Sequence, residues 1–151
     1  MKQIVSIPVV VVDTSTIIRA LLSKGPTYSN SILVMGQVKK VVFAYSKETF
    51  TELSETIQKS YIKSNVSPQT VARFIAWYKY NGLLVEITDN RSVSRDPNDD
   101  KFLNLATSVQ ASVIISEDQD LLVLKKHQNI PIVSGEEFVT KIYIEPKSPT
   151  S

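Results

Sequence analysis

Apolar residues along this chain come in two arrangements that alternate. Some form short unbroken runs; others are spread at helical spacing. Ile4–Val12 (IVSIPVVVV) is apolar and mostly β-branched at odd and even positions alike, as in a strand covered on both faces of a sheet. Pro8 delays regular pairing until after it. Val41–Tyr45, Leu83–Ile87, Ser112–Ser116 and Ile130–Val133 read as further strands. Between them the stripe widens to a helical period. Thr16–Leu22 predicts a helix stopped by Ser23–Lys24–Gly25–Pro26, and Ser29–Val38 a second. Lys47–Ser60 predicts a third, capped by Ser46, with Phe50, Leu53 and Ile57 as its apolar stripe. Ser67 and Pro68 open a fourth, which runs through Val71–Tyr80 to a stop at Asn81–Gly82. Asp99–Gln110, Asp120–His127 and Gly135–Ile144 complete the set. Thr88–Arg95 is a loop, and the polar tail Glu145–Ser151 is expected to be disordered.

Buried strands alternating with helices predict an α/β fold with a mostly parallel sheet covered on both faces. Neither a repeat nor a linker divides the chain, so residues 1–144 read as one domain. At 151 residues it can bury a substantial core. No apolar run reaches the roughly 18 residues of a transmembrane helix. The apolar N-terminus runs into Asp13 without a small-residue cleavage site, so it reads as a strand and not a signal peptide. There is no cysteine. That removes disulfides and thiolate metal sites, and it suits a reducing, cytoplasmic setting. A single histidine, His127, makes a histidine zinc site or a Ser-His-Asp triad hard to build, and it is expected on the surface. The net charge of +2 selects no partner.

The acids fall where chemistry is expected. In open parallel sheets, sites form beyond the carboxyl ends of the strands. Asp13 ends the first strand in VVVVDTS. Glu117, Asp118 and Asp120 follow another in VIISEDQD, and Ser46 follows a third. Asp96, Asp99 and Asp100 open a helix in RDPNDDKFLNLA. Carboxylates gathered in one pocket repel unless a cation neutralises them. With this donor set the cation is a hard one, Mg²⁺ or Mn²⁺. Helical phase separates the three aspartates. Asp96 is placed as the N-cap of the helix. Asp99 shares a face with Phe102, Leu103 and Ala106 and points inward. Asp100 aligns with Asn104 and Thr107 and points to water. The alternative is that all three merely cap the helix and complement its dipole. Periodicity does not choose among Glu48, Glu52 and Glu55 on the third helix. Asp13 equally well caps the helix after it, and one of Asp118 and Asp120 is expected to cap the next.

VVVVDTSTIIRALLSKG, SKETFTELSETI, RDPNDDKFLNLA and VIISEDQDLLVLKK, in this order and spacing, resemble the PIN-domain proteins, and most of all the bacterial group of toxin–antitoxin toxins. The likeness runs from about Val9 to Phe138. It implies a three-layer α/β/α sandwich around a five-stranded, mostly parallel sheet, and a Mg²⁺- or Mn²⁺-dependent ribonuclease. By position, the resemblance puts the family's acids on Asp13, Glu52, Asp99 and Asp118. Asp120 supports them as a further metal ligand, and Ser116 takes the place of a hydroxyl that orients the acids. Ser15 stands where the family usually has Asn, so it offers Asp13 one hydroxyl donor instead of an amide. Glu117 stands where a small or neutral residue is common and adds charge.

The mechanism this implies is metal-assisted phosphodiester hydrolysis, with Asp13, Asp99 and Asp118 on the cation and Glu52 on a second ion or on the attacking water. Arg19, Lys24, Arg91, Arg95 and Lys101 are candidates to meet RNA, Arg95 and Lys101 foremost. On the fourth helix, Val71, Phe74, Ile75 and Tyr78 make the core stripe. Trp77 and Tyr80 fall opposite, as an interface, a base-stacking platform, or residues buried under a neighbouring helix. The resemblance implies a homodimer silenced by an antitoxin protein. A housekeeping RNA-processing nuclease using the same acids, and a catalytically silent binding module of the same fold, are the alternatives. A receiver-like phosphoacceptor domain would want an acidic pair ahead of Asp13 and a lysine after the last strand, and neither is placed so.

Overall fold

The computed structural model describes residues 7–87 and 96–142. Six strands form one sheet: β1 Val9–Val12, β2 Val42–Tyr45, β3 Leu83–Leu84, β4 Val113–Ile115, β5 Lys126–His127 and β6 Ile130–Val133. Their order is β3-β2-β1-β4-β6-β5. All neighbours are parallel except β5, which pairs antiparallel with β6. The helices are α1 Thr14–Leu22, α2 Tyr28–Gln37, α3 Lys47–Ile57, α4 Ser60–Asn65, α5 Pro68–Asn81, α6 Asp100–Val109, α7 Gln119–Leu122 and α8 Gly135–Glu137. A 3-10 turn, Pro97–Asp99, leads into α6, and a π-helical turn, Phe138–Ile142, follows α8.

The unbroken apolar runs work as two interleaved sets, because successive strand residues point to opposite faces. Val10, Val12, Phe43, Tyr45, Val113 and Ile115 pack with Ile17, Ile32, Leu53, Phe74 and Tyr78 from helices α1, α2, α3 and α5. Val11, Ala44 and Ile114 pack with Phe102, Leu103, Leu105 and Ala106 of α6 and Leu121 of α7. The result is the expected α/β/α sandwich. Gly36 lets α2 lie close to the sheet, since a Cβ there would meet the Phe43 ring at 2.7 Å. Trp77 is half-buried against Phe43 and Phe74, while Tyr80 is 89% exposed.

Several boundaries differ from the sequence pattern, each for a local reason. A sixth strand exists because the segment read as helix through His127 turns back after Leu122. Lys125 adopts a left-handed conformation, and Gln128 and Asn129, both at positive φ, form the two-residue turn between β5 and β6. That is a hairpin turn of the primed kind without its usual glycine. His127 therefore lies half-buried in a strand. The third strand is two residues long instead of five. Its partner β2 ends at Tyr45, where Ser46 starts to cap α3, so the ladder stops. Helix α4 has no side-chain cap at Lys59, which left it without a sequence signal. The last helix is short and passes into the π turn. The predicted strand start at Ile4, the loop residues 88–95 and the tail from Glu145 lie outside the described residues. Among the described residues no helix is long and apolar enough to cross a membrane.

Leu103 is fully buried between α6 and the sheet. Leu103→Ala is expected to cost about 2–5 kcal/mol, read as a lower urea midpoint with an unchanged denaturant slope.

Candidate metal centre

β1 and β4 are neighbours, and the chain departs from them toward opposite halves of the sheet. Their carboxyl ends therefore flank the crevice where open α/β sheets place ligands. Asp13 follows β1, and its N–H donates to the Ile115 carbonyl of β4 at 3.0 Å. Its side chain is buried and is the N-cap of α1, accepting from the Thr16 N–H at 2.9 Å. The Ser15 hydroxyl donates to Asp13 Oδ2 at 3.1 Å, and the Ser116 hydroxyl, just past β4, donates to the same oxygen. Ser116 Oγ also accepts from the Asp118 N–H at 2.9 Å, so one buried hydroxyl ties two acids to the end of β4. Burial raises the Asp13 carboxyl above its ordinary value, against the lowering effect of these hydrogen bonds.

Asp118 is the N-cap of α7, accepting from the Asp120 N–H at 2.9 Å. Of the acids on α3, Glu48 and Glu55 are exposed, and Glu52 is the one that lines the cleft. Thr14 donates its hydroxyl to Glu52 Oε2, and Lys101 Nζ lies 2.8 Å from Oε1. Asp13, Glu52, Asp99 and Asp118 thus line one cleft of about 390 Å³, together with Thr14, Ser15 and Arg19.

Asp99 is in the middle of this group. It ends the 3-10 turn, only 7% exposed. Its Oδ2 is buried with no hydrogen-bond partner among the described residues. Burial, and then the charges of Asp118, Asp96, Asp13 and Asp120, push its carboxyl up to about 7. On a second side, carboxylate oxygens of Asp96, Asp99 and Asp120 lie within 4.8 Å of one another. Asp96 does cap the turn, accepting from the Asn98 N–H at 3.0 Å. It also belongs to this trio, a role the sequence pattern did not separate from capping.

One placement corrects the sequence reading. Asp100 and Asn104 do not point to water; both are buried. The tighter winding of the 3-10 turn shifts the phase at Asp100, and α6 packs against α3 as well as against the sheet, so more than one of its faces is covered. Ser46 is buried in a reciprocal capping box with Thr49 at the start of α3. Glu117, expected to add charge at the cleft, accepts from the Gly135 N–H at 3.0 Å at the start of α8. Thr14 was missed: a threonine after an acid at a helix start reads only as a cap neighbour. Arg91 and Arg95 lie outside the described residues.

The residues fit a hard divalent cation. Their donors are carboxylate oxygens, the choice of Mg²⁺ and Mn²⁺. A buried carboxylate oxygen surrounded by like charges is stabilised by a bound cation or, without one, by a proton.

The family profile of the PIN domain matches residues 9–120, a span that includes all these acids. No curated protein sequence matches the chain. Among solved structures, VapBC2 from Rickettsia felis, bound to a DNA fragment from its promoter, is similar with a TM-score of 0.55. It has 12% sequence identity, and the match covers 83% of this chain and 98% of that one. VapC20 from Mycobacterium tuberculosis, a sarcin-ricin loop cleaving toxin, is similar with a TM-score of 0.51 and 15% identity, over 81% of this chain and 99% of that one. At such identities the likeness is one of fold.

Asp99 makes metal-free stability depend on pH. Unfolded, it titrates near its ordinary 3.8; folded, near 7. Between these values the folded state holds a proton that the unfolded state has released. Its contribution is therefore full below the lower value and is lost as pH rises through the upper. In EDTA, Tm should fall from about pH 4 to about pH 7. Asp99→Asn should flatten that fall and be more stable than the wild type at the upper end. Thermal melts across the range check both.

Proposed function

The chain belongs to the PIN-domain family, and from that premise we propose that it is a metal-dependent endoribonuclease, the toxin of a toxin–antitoxin pair, hydrolysing RNA phosphodiester bonds in the cytoplasm. The observation that carries this reading is Asp99: a buried carboxylate oxygen without a partner among the described residues, in a cleft shared with Asp13, Glu52 and Asp118. That VapC20 is a toxin that cleaves a sarcin-ricin loop supports RNA as the substrate. The VapBC2 complex supports a cognate antitoxin as partner. A second copy of the chain is the other partner proposed, and residues 1–144 form the nuclease domain.

Asp13, Asp99 and Asp118 would hold Mg²⁺ or Mn²⁺, with Asp120 and Asp96 beside them. When bound, the ion supplies a water of lowered pKa and positive charge against the phosphoryl oxygens. The chain does the rest. Ser15, Ser116 and the Thr16 N–H hold the Asp13 carboxylate in place at the wall of the cleft. Ser116 holds the Asp118 backbone in the same frame. Thr14 orients Glu52 toward the cleft wall. The exposed guanidinium of Arg19 at the cleft offers positive charge to the RNA backbone, and Arg95 stays a proposed second contact.

The test compares wild-type and Asp99→Asn protein on mixed RNA with Mg²⁺, Mn²⁺ or EDTA. Wild-type protein should cleave only with metal. Losing several kcal/mol of charge stabilisation should slow the variant about a thousandfold. Folded wild-type protein that neither cleaves RNA nor gains thermal stability from either metal would overturn the reading.

A further inference from the structure

Glu52 and Asp99 face the same cleft in opposite conditions. Asp99 presents an oxygen with no partner among the described residues. Glu52 has both oxygens engaged, Oε2 by the Thr14 hydroxyl and Oε1 by Lys101 Nζ at 2.8 Å. Lys101 is on α6, directly after Asp99 and Asp100, and reaches across to α3. Its ammonium also lies 5.9 Å from the centre of the Phe102 ring. The side chains of the pair are 22% and 30% exposed, so bulk solvent screens it less than a surface ion pair. An ammonium is a compact, fixed unit of positive charge. A divalent ion arriving at Glu52 would have to displace it and would be repelled by it. An ion arriving on the Asp99 side meets clustered carboxylate oxygens, those of Asp96, Asp99 and Asp120 lying within 4.8 Å of one another.

We propose that Lys101 is a built-in cation at Glu52, standing where a second divalent ion would otherwise bind, so that the chain loads one divalent ion, held on the Asp99 side of the cleft. The proposal rests on the metal-dependent reading above and narrows it. Glu52 is then a positioning residue that fixes Lys101, instead of a metal ligand. Lys101 supplies a positive charge that needs no loading from solution, held against Glu52 at the wall of the cleft.

The probe is Mn²⁺ alone, counted per chain by isothermal titration and by the loss of free-ion signal in electron paramagnetic resonance. Wild-type protein should bind one ion. Lys101→Met should bind two, Lys101→Arg should stay at one, and Lys101→Met combined with Glu52→Gln should return to one. Lys101→Gln, which keeps a hydrogen-bond donor without the charge, replaces Lys101→Met if melts show that variant unfolded. Two ions on wild-type protein, or one on the folded charge-free variant, would overturn the proposal and leave the nuclease reading intact. No ion on wild-type protein would overturn the metal reading and this proposal with it.

Discussion

Crowded carboxylates around Asp99 are the constraint to which the rest of the centre answers. Like charges at this spacing, partly withdrawn from water, raise each other's energy steeply. Each acid meets the problem differently. Asp13 is buried but receives hydrogen bonds from Ser15, Thr16 and Ser116. Asp118 accepts a backbone N–H at the start of α7. Glu52 has Thr14 and Lys101. Asp99 is pushed up by burial and then by its acidic neighbours, and keeps an oxygen with no partner among the described residues. The frustration is concentrated on one side chain, which is how a fold keeps a ligand site ready without losing the ligand set to internal bonds.

The sheet is what makes this concentration affordable. β1 and β4 are apolar at every position and packed on both faces, so their ends are fixed by both halves of the core. A carboxylate attached there cannot swing out to water, as one on a loop would. The Asp13 N–H bond to Ile115 and the Ser116 hydroxyl bond to Asp13 lock the two strand ends to each other. Rigidity in the core becomes precision at its rim.

Much of this was legible in the sequence. Apolar runs at both parities gave the two-sided sheet, and the phase of RDPNDDKFLNLA placed Asp99 inward before any coordinates. The same phase argument failed one residue later. It assumed one buried face, whereas α6 is covered by the sheet and by α3, so Asp100 and Asn104 are buried too. Helix α4 lacks a cap, and the β5–β6 turn lacks glycine, so neither carried the signal that sequence rules rely on. Glu52 was singled out only through the family likeness; periodicity alone treated it as one of three glutamates. Its pairing with Lys101 depends on how α3 and α6 cross, which local sequence does not encode.

One consequence of the Ser116–Asp13 bond concerns time and not geometry. Its partners are 103 residues apart in the chain. Contacts between distant residues are slow to form because a long loop must close first. During synthesis, which proceeds from the N-terminus, Asp13 and Glu52 emerge early and remain an incomplete set. The centre has no frame until β4 and the residues after it leave the ribosome and insert beside β1. The set of acids is thereby left unassembled until nearly the whole fold has been made.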